Sequence, residues 1–68
     1  MKILVNNEEY SLPERSTLGT AIRKIMPAKK YFGVAIAVNM HIIAQDLWDG
    51  YELKEKDVLL VIKATQGG

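Results

Sequence analysis

The sequence contains no cysteine and only one histidine, His41, in 68 residues. Without cysteine the chain can form no disulfide, no thiolate zinc site and no nucleophilic thiol. His41 has no second histidine with which to share a metal, so we interpret it as a surface residue. Gly19 and Gly33 are isolated and form no phosphate-binding loop, and no set of nucleophile, base and orienting group is visible. The residues predict a protein that is not itself an enzyme and that binds no metal or cofactor.

Long apolar runs and a strong charge of one sign are also lacking. No apolar stretch approaches the length needed to cross a bilayer. The apolar segment in residues 1–5 is too short, and polar residues follow it too closely, for a secretory signal. The net charge is +1, with lysine and glutamate interspersed, which argues against a nucleic-acid-binding surface. We therefore expect one small cytoplasmic domain whose partners include neither membrane nor nucleic acid.

The chain does contain several short apolar stretches that are typical of strands. Strands are predicted for residues 2–6, 9–12, 33–38, 41–43 and 58–63. Asn6-Asn7 separates the first pair and suits a tight hairpin turn, because asparagine tolerates positive φ. Asn39-Met40 separates the third and fourth stretches, although methionine fits poorly where φ must be positive.

One stretch has helical rather than strand spacing. Its apolar face, at intervals of three and four residues, comprises Leu18, Ala21, Ile22, Ile25 and Met26. Ser16 or Thr17 can accept the first unpaired N–H as N-cap, and Pro27 ends the helix. Residues 45–57 form a longer connection, under which Trp48 and Leu53 are expected to join the core.

The order strand, strand, helix, strand, strand, strand restricts the fold. First and last strands can lie parallel at the centre only if the helix crosses one face of the sheet. This predicts an α+β protein of the β-grasp, ubiquitin-like type, with a four- to five-stranded mixed sheet packed on one helix. The predicted domain spans residues 1–63, and residues 64–68 form a flexible C-terminal tail.

The two faces of the predicted sheet are both apolar. The inward set is Ile3, Val5, Ile36, Val38, Leu59 and Val61. Alternation then turns a second apolar set outward, where a sheet with one wet face should carry polar residues. We interpret this second set as a docking patch for a partner protein: Leu4, Ala35, Ala37, Val58, Leu60 and Ile62. The opposite strand register would exchange the two sets, so that alternative stays open.

The sequence ends on Gly67-Gly68, directly after an apolar strand and a short polar spacer. Glycine lacks a Cβ, so such an end can enter a slot that excludes other residues. Gln66, Gly67 and Gly68 are therefore the segment expected to enter a partner's active site. The terminal carboxylate is the one group left for chemistry.

In this order and at this length, the motifs resemble the ubiquitin-like sulfur carriers, most closely the thiamine-biosynthesis (ThiS-like) type. The resemblance covers nearly the whole chain. Its elements are the opening strand and turn, Leu12-Pro13-Glu14 before Ser16-Thr17-Leu18, the run from Val34 to Asn39, Trp48-Asp49, Leu53-Lys54-Glu55 with Asp57, and Gly67-Gly68. Met40 and Lys56 depart from the family pattern, which usually has glycine at those turns.

The resemblance implies a function carried by Gly68. A separate ATP-dependent activating enzyme would adenylate its carboxylate. Sulfur from a cysteine desulfurase or rhodanese-like donor would then convert the end to a thiocarboxylate, for delivery to thiazole synthase and the thiazole ring of thiamine. ATP would be used by the partner and not bound by this chain.

Three alternatives stay open at this point. The chain could instead be a molybdopterin-synthase small subunit or a sulfur carrier of another pathway. It could be a β-grasp RNA-binding module of the kind attached to synthetases and GTPases, or a protein-interaction domain with an inert tail.

Overall fold

The computed structural model of the chain describes residues 1–64. In chain order the elements are β1 (Lys2–Val5), β2 (Glu8–Ser11), α1 (Leu18–Ile25), β3 (Val34–Val38), β4 (His41–Ile43), a 3-10 helix (Gln45–Gly50) and β5 (Val58–Lys63). The five strands and α1 confirm the sequence prediction. The 3-10 helix was not predicted and lies within the longer connection of residues 45–57.

The strands form one mixed sheet in the order β2-β1-β5-β3-β4. The first and last strands pair in parallel at its centre, and the other neighbours pair antiparallel. Such a parallel pair needs a crossover connection, and α1 supplies it by packing on one face of the sheet. The predicted β-grasp architecture is therefore confirmed, with five strands and not four.

Both predicted hairpin turns have positive φ at their two central residues. The φ angles are 48° at Asn6, 69° at Asn7, 50° at Asn39 and 72° at Met40. This geometry matches the right-handed twist of the paired strands. Asparagine tolerates it, whereas a methionine in this region costs about 1 kcal/mol or more. Lys56 has the same strained conformation, with φ of 69°.

The N-cap of α1 is Thr17, whose Oγ1 accepts a hydrogen bond from the Thr20 N–H at 3.2 Å. Ser16, the other candidate, is buried, and its hydroxyl donates to the Pro13 carbonyl at 2.7 Å. The Thr17 hydroxyl therefore caps the helix, and the neighbouring Ser16 hydroxyl closes the turn before it.

A single core lies between α1 and the inner face of the sheet. The predicted inward set faces this core, since Ile3, Val5, Ile36, Val38 and Leu59 are buried and Val61 packs against them. Trp48 and Leu53 join the core from the long connection, as predicted, with 5% and 2% of their surfaces exposed. The strand register is thus the predicted one and not the reversed alternative.

Asp57 is a buried carboxylate that joins three segments of the chain. Its Oδ1 accepts from the Asn39 side-chain amide at 3.0 Å, and its Oδ2 accepts from the Lys54 N–H at 2.8 Å. The Asn39 Oδ1 in turn accepts from the Val58 N–H at 2.9 Å. The β3–β4 turn is thereby fastened to the start of β5.

Replacing Asp57 with alanine should lower the free energy of unfolding by about 2 kcal/mol, because the Asn39 and Lys54 donors would lose a partly buried acceptor. Urea unfolding can be followed by the fluorescence of Trp48, the sole tryptophan of the chain. The matched control is Glu52→Ala, an exposed acid, for which we expect a change within about 0.5 kcal/mol. Equal losses in the two variants would contradict the role of Asp57.

Candidate functional site

The tail predicted to enter a partner begins at the end of β5, the central strand. Gln66, Gly67 and Gly68 lie outside the described residues, so their predicted role stays a prediction. Ala64, which the sequence placed in the tail, donates its N–H to the Gly33 carbonyl at 2.6 Å. The antiparallel pairing of β3 with β5 thus continues one residue past the pair Val34 and Lys63.

Gly33 has the backbone conformation that this junction requires. Its φ is +70°, which glycine adopts without a steric penalty, and a Cβ at this position would lie 3.3 Å from the Ala64 Cβ. The loop that leads to β3 therefore lies against the root of the tail. Any bulkier residue at Gly33 would press on the first residue after β5.

The outer face of the sheet, opposite α1, contains the residues that were predicted from the sequence to form a docking patch. Leu4 pairs with Val58 in register, while Ala35 pairs with Ile62 and Ala37 with Leu60. The larger members are well exposed: Leu4 37%, Val58 47%, Leu60 51% and Ile62 43%. A contiguous apolar surface of this kind is typical of an interface.

Ala37 differs from what the alternation suggests, because only 6% of its surface is exposed. Its register places it directly between Leu60 on β5 and Ile42 on β4. Opposite side chains on neighbouring strands have Cβ atoms about 5 Å apart, so two large residues cover one small one. Ala37 therefore contributes little accessible surface of its own and forms the floor between two apolar ridges.

Ile42 belongs to this face but was not predicted as part of the docking patch. It is 68% exposed and lies opposite Ala37. The sequence contained the information needed to place Ile42 on this face, since a two-residue turn at Asn39-Met40 sets the register of β4. It then turns Ile43 inward and Ile42 outward.

A cleft of about 440 Å³ opens beside the C-terminal end of α1. Its floor is apolar and its polar side chains include Asn6, Glu8, Tyr10 and Lys63. The Tyr10 hydroxyl donates to a Glu8 carboxylate oxygen at 3.1 Å, and this hydrogen bond raises the pKa of Tyr10. The cleft contains no arrangement of nucleophile and base.

Within residues 1–64, no three histidine, cysteine, aspartate or glutamate side chains are close enough to hold a metal ion. His41 is exposed, as predicted, and its Nδ1 lies 3.1 Å from the Asn39 carbonyl oxygen. No helix in this part of the chain is long and apolar enough to cross a membrane.

Comparisons with known proteins agree with this geometry. The sequence model of the ThiS family matches residues 2–68. A crystal structure of the thiamine biosynthesis protein (ThiS) from Geobacter metallireducens has a TM-score of 0.81 with this chain at 17% identity, with both chains covered in full.

An NMR solution structure of a thiamine biosynthesis protein from the same organism has a TM-score of 0.76 at 17% identity, with 100% of this chain and 88% of that chain covered. No curated protein matches the sequence. At this level of identity the two structures support the fold, and the family match carries the assignment.

Proposed function

Since the chain belongs to the ThiS family, whose model matches up to the final Gly67-Gly68, we propose that it is a sulfur carrier of thiamine biosynthesis. The observation that carries this proposal is the extent of that match, together with the position of the last strand. β5 is central in the sheet, so the residues that follow it start from a strand that is paired on both sides.

The chemistry is assigned to the Gly68 carboxylate. An α-carboxyl group with a pKa of about 3.5 is ionised at neutral pH and resists attack by a nucleophile. An ATP-dependent activating enzyme converts it to an acyl-adenylate and releases pyrophosphate. The persulfide sulfur of a cysteine desulfurase or rhodanese-like donor then displaces AMP to give an acyl disulfide, and a thiol of the donor system or of the activating enzyme cleaves its S–S bond, which leaves the thiocarboxylate on Gly68 and a disulfide on the thiols. The thiocarboxylate passes its sulfur to thiazole synthase. The carrier is a substrate of these enzymes and contributes no catalytic group.

The outer face is the surface proposed to dock the body of the carrier on its partners. Leu60 and Ile62 form one apolar ridge and Ile42 another, with the alanines of β3 between them. A partner that inserts an apolar side chain between these ridges would bury apolar area of both ridges. Gln66, Gly67 and Gly68 would then extend from Ala64 into the partner's active site, where residues without bulky side chains pass most easily.

The test is the intact mass of the protein after incubation with ATP, the activating enzyme and a sulfur source. We expect a gain that corresponds to replacement of one oxygen by sulfur. Without ATP, the mass should not change, since the free carboxylate is not a substrate for sulfur transfer. An unchanged mass in the complete reaction, with an established ThiS-family carrier converted in parallel, would contradict the proposed function.

A further inference from the structure

The charged residues of this protein are segregated along the chain, although the net charge is only +1. Residues 16–45 contain four basic residues and no acidic one, and all eight acids fall within residues 8–14 and 46–57. The loop of residues 27–33 belongs to the basic stretch and reaches the root of the tail through the hydrogen bond between Gly33 and Ala64. Positive charge is thus concentrated where the chain leaves the sheet.

We give the name tail-root cluster to four residues on the loop of residues 27–33 and at the end of β5: Lys29, Lys30, Phe32 and Lys63. All four are exposed, and Phe32 exposes 82% of its surface. The Lys30 Nζ lies 5.4 Å from the centre of the Phe32 ring, within the range of a cation–π contact. Among residues 1–64, none of these three lysines forms an ion pair.

Hydrogen bonds and an aromatic contact hold the loop of residues 27–33 against the body of the domain. The Tyr31 hydroxyl donates to the Met26 carbonyl at 3.0 Å, and its ring packs edge-on against Trp48 with centres 5.7 Å apart. The Gln45 side-chain amide donates to the Val34 carbonyl at 3.0 Å and also to the Tyr31 carbonyl. The exposed aromatic ring is therefore displayed from an anchored loop, which lowers the entropic cost of binding through it.

We propose that the tail-root cluster is a recognition surface for the ATP-dependent activating enzyme. The complementary surface would carry carboxylates and an apolar pocket beside the channel that receives the tail. This inference rests on the proposed function and adds a second contact region to the outer face. The two regions meet at the end of β5, where Ile62 faces outward and the next residue, Lys63, faces the helix side of the sheet.

Electrostatics favours the activating enzyme among the three proposed partners. Its reaction brings the anionic Gly68 carboxylate up to the anionic phosphates of ATP, which repel it. Four residues beyond Ala64 span at most about 14 Å, which is roughly one Debye length at about 50 mM salt and well beyond the roughly 8 Å that applies at physiological ionic strength. Positive charge at the root of the tail therefore reduces the repulsion and accelerates productive encounter at low salt, and does so much less at high salt.

A protein partner fits these observations better than RNA does. The cluster combines three cations with one aromatic ring, and the strand that carries Lys63 also carries Leu60 and Ile62 of the apolar outer face. A phosphate backbone would leave that face uncovered. RNA binding by a basic, aromatic surface is nevertheless an outcome that the experiment below can detect, since it would lose affinity steeply with salt.

The test measures KM of the activating enzyme for the carrier, by ATP-dependent release of pyrophosphate, at about 50 and 300 mM salt. The double variant Lys29→Glu/Lys30→Glu should raise KM about tenfold at low salt and much less at high salt. Phe32→Ala should raise KM severalfold at both salt concentrations, because its contribution is apolar burial. In both variants kcat should change little.

The matched control for charge is Arg15→Glu/Lys54→Glu, which makes the same change in net charge at the opposite end of α1. These two residues flank the hydrogen bond between Ser16 and Leu53. Met40→Ala is the control for the loss of an exposed apolar side chain, since Met40 is 95% exposed. Both controls should keep the KM of the natural protein.

The outcomes separate this inference from the proposed function. If the natural protein releases no pyrophosphate with the activating enzyme, the proposed function fails. If it reacts normally but the cluster variants match their controls, the tail-root cluster is not a recognition surface. The same conclusion follows if the charge reversal abolishes binding to a labelled single-stranded RNA while KM stays unchanged.

Discussion

Deleting Gly68, or replacing it with alanine, is expected to slow thiocarboxylate formation by about 100-fold or more while the domain stays folded. The core residues all lie between Ile3 and Leu59, so the change should leave the urea midpoint unaltered. Deletion moves the carboxylate back by about 3.5 Å, out of line with the phosphate it must attack. Alanine adds a Cβ at the reacting end, and a misplacement of this size costs on the order of 100-fold in rate.

Intact mass spectrometry after the complete reaction measures this effect directly. The control is Thr65→Ala, which makes a comparably small change in the spacer without altering the terminus and should be converted normally. Normal conversion of the Gly68 variants would show that the terminal residue is not the reacting group.

Leu60→Glu is expected to weaken binding to the activating enzyme by about 100-fold and to leave the fold intact. Leu60 is 51% exposed at the centre of the outer face, so a glutamate there remains hydrated in the free protein. In the complex the carboxylate would be buried among apolar groups without a partner, at a cost of about 3 kcal/mol. Fluorescence anisotropy or calorimetry with the purified enzyme measures the loss.

Two further variants keep this prediction testable if Leu60→Glu unfolds. Ile42→Ser removes an apolar group from an exposed position of β4, and we expect a smaller loss of affinity from it. Thr20→Glu is the matched control, because it adds the same charge in the helix layer, where an acid near the N-terminus of α1 is favourable. Full affinity of Leu60→Glu for the activating enzyme would show that the outer face does not dock this partner.

Most of the fold was predictable because local and long-range signals agree. The paired asparagines at Asn6-Asn7 set both the turn and the register of the first hairpin. The spacing of Leu18, Ala21 and Ile22 identified the inner face of the one helix. The 3-10 helix was missed because six residues are too few for a periodic signal.

The candidate site was less predictable than the fold. Alternation assigned Ala37 to the correct face, but its exposure depends on the size of the residues in register with it on both neighbouring strands. The net charge of +1 concealed the segregation of charge, because an average over the whole chain cancels a basic end against an acidic one. The loop that carries Lys29 and Lys30 is brought to the end of β5, which carries Lys63, by the pairing of β3 with β5, and sequence spacing does not reveal this pairing.

The central place of β5 has a mechanical consequence. β5 forms ladders with β1 on one side and β3 on the other, and it is the sole bridge between the two hairpins in the strand order. If it detached, the sheet would divide into two separate ribbons, each marginal by itself. A force that a partner applies to the tail therefore acts on the central strand, and separating one edge strand from the sheet does not relieve it. Detaching β5 under such a force requires the whole domain to unfold cooperatively.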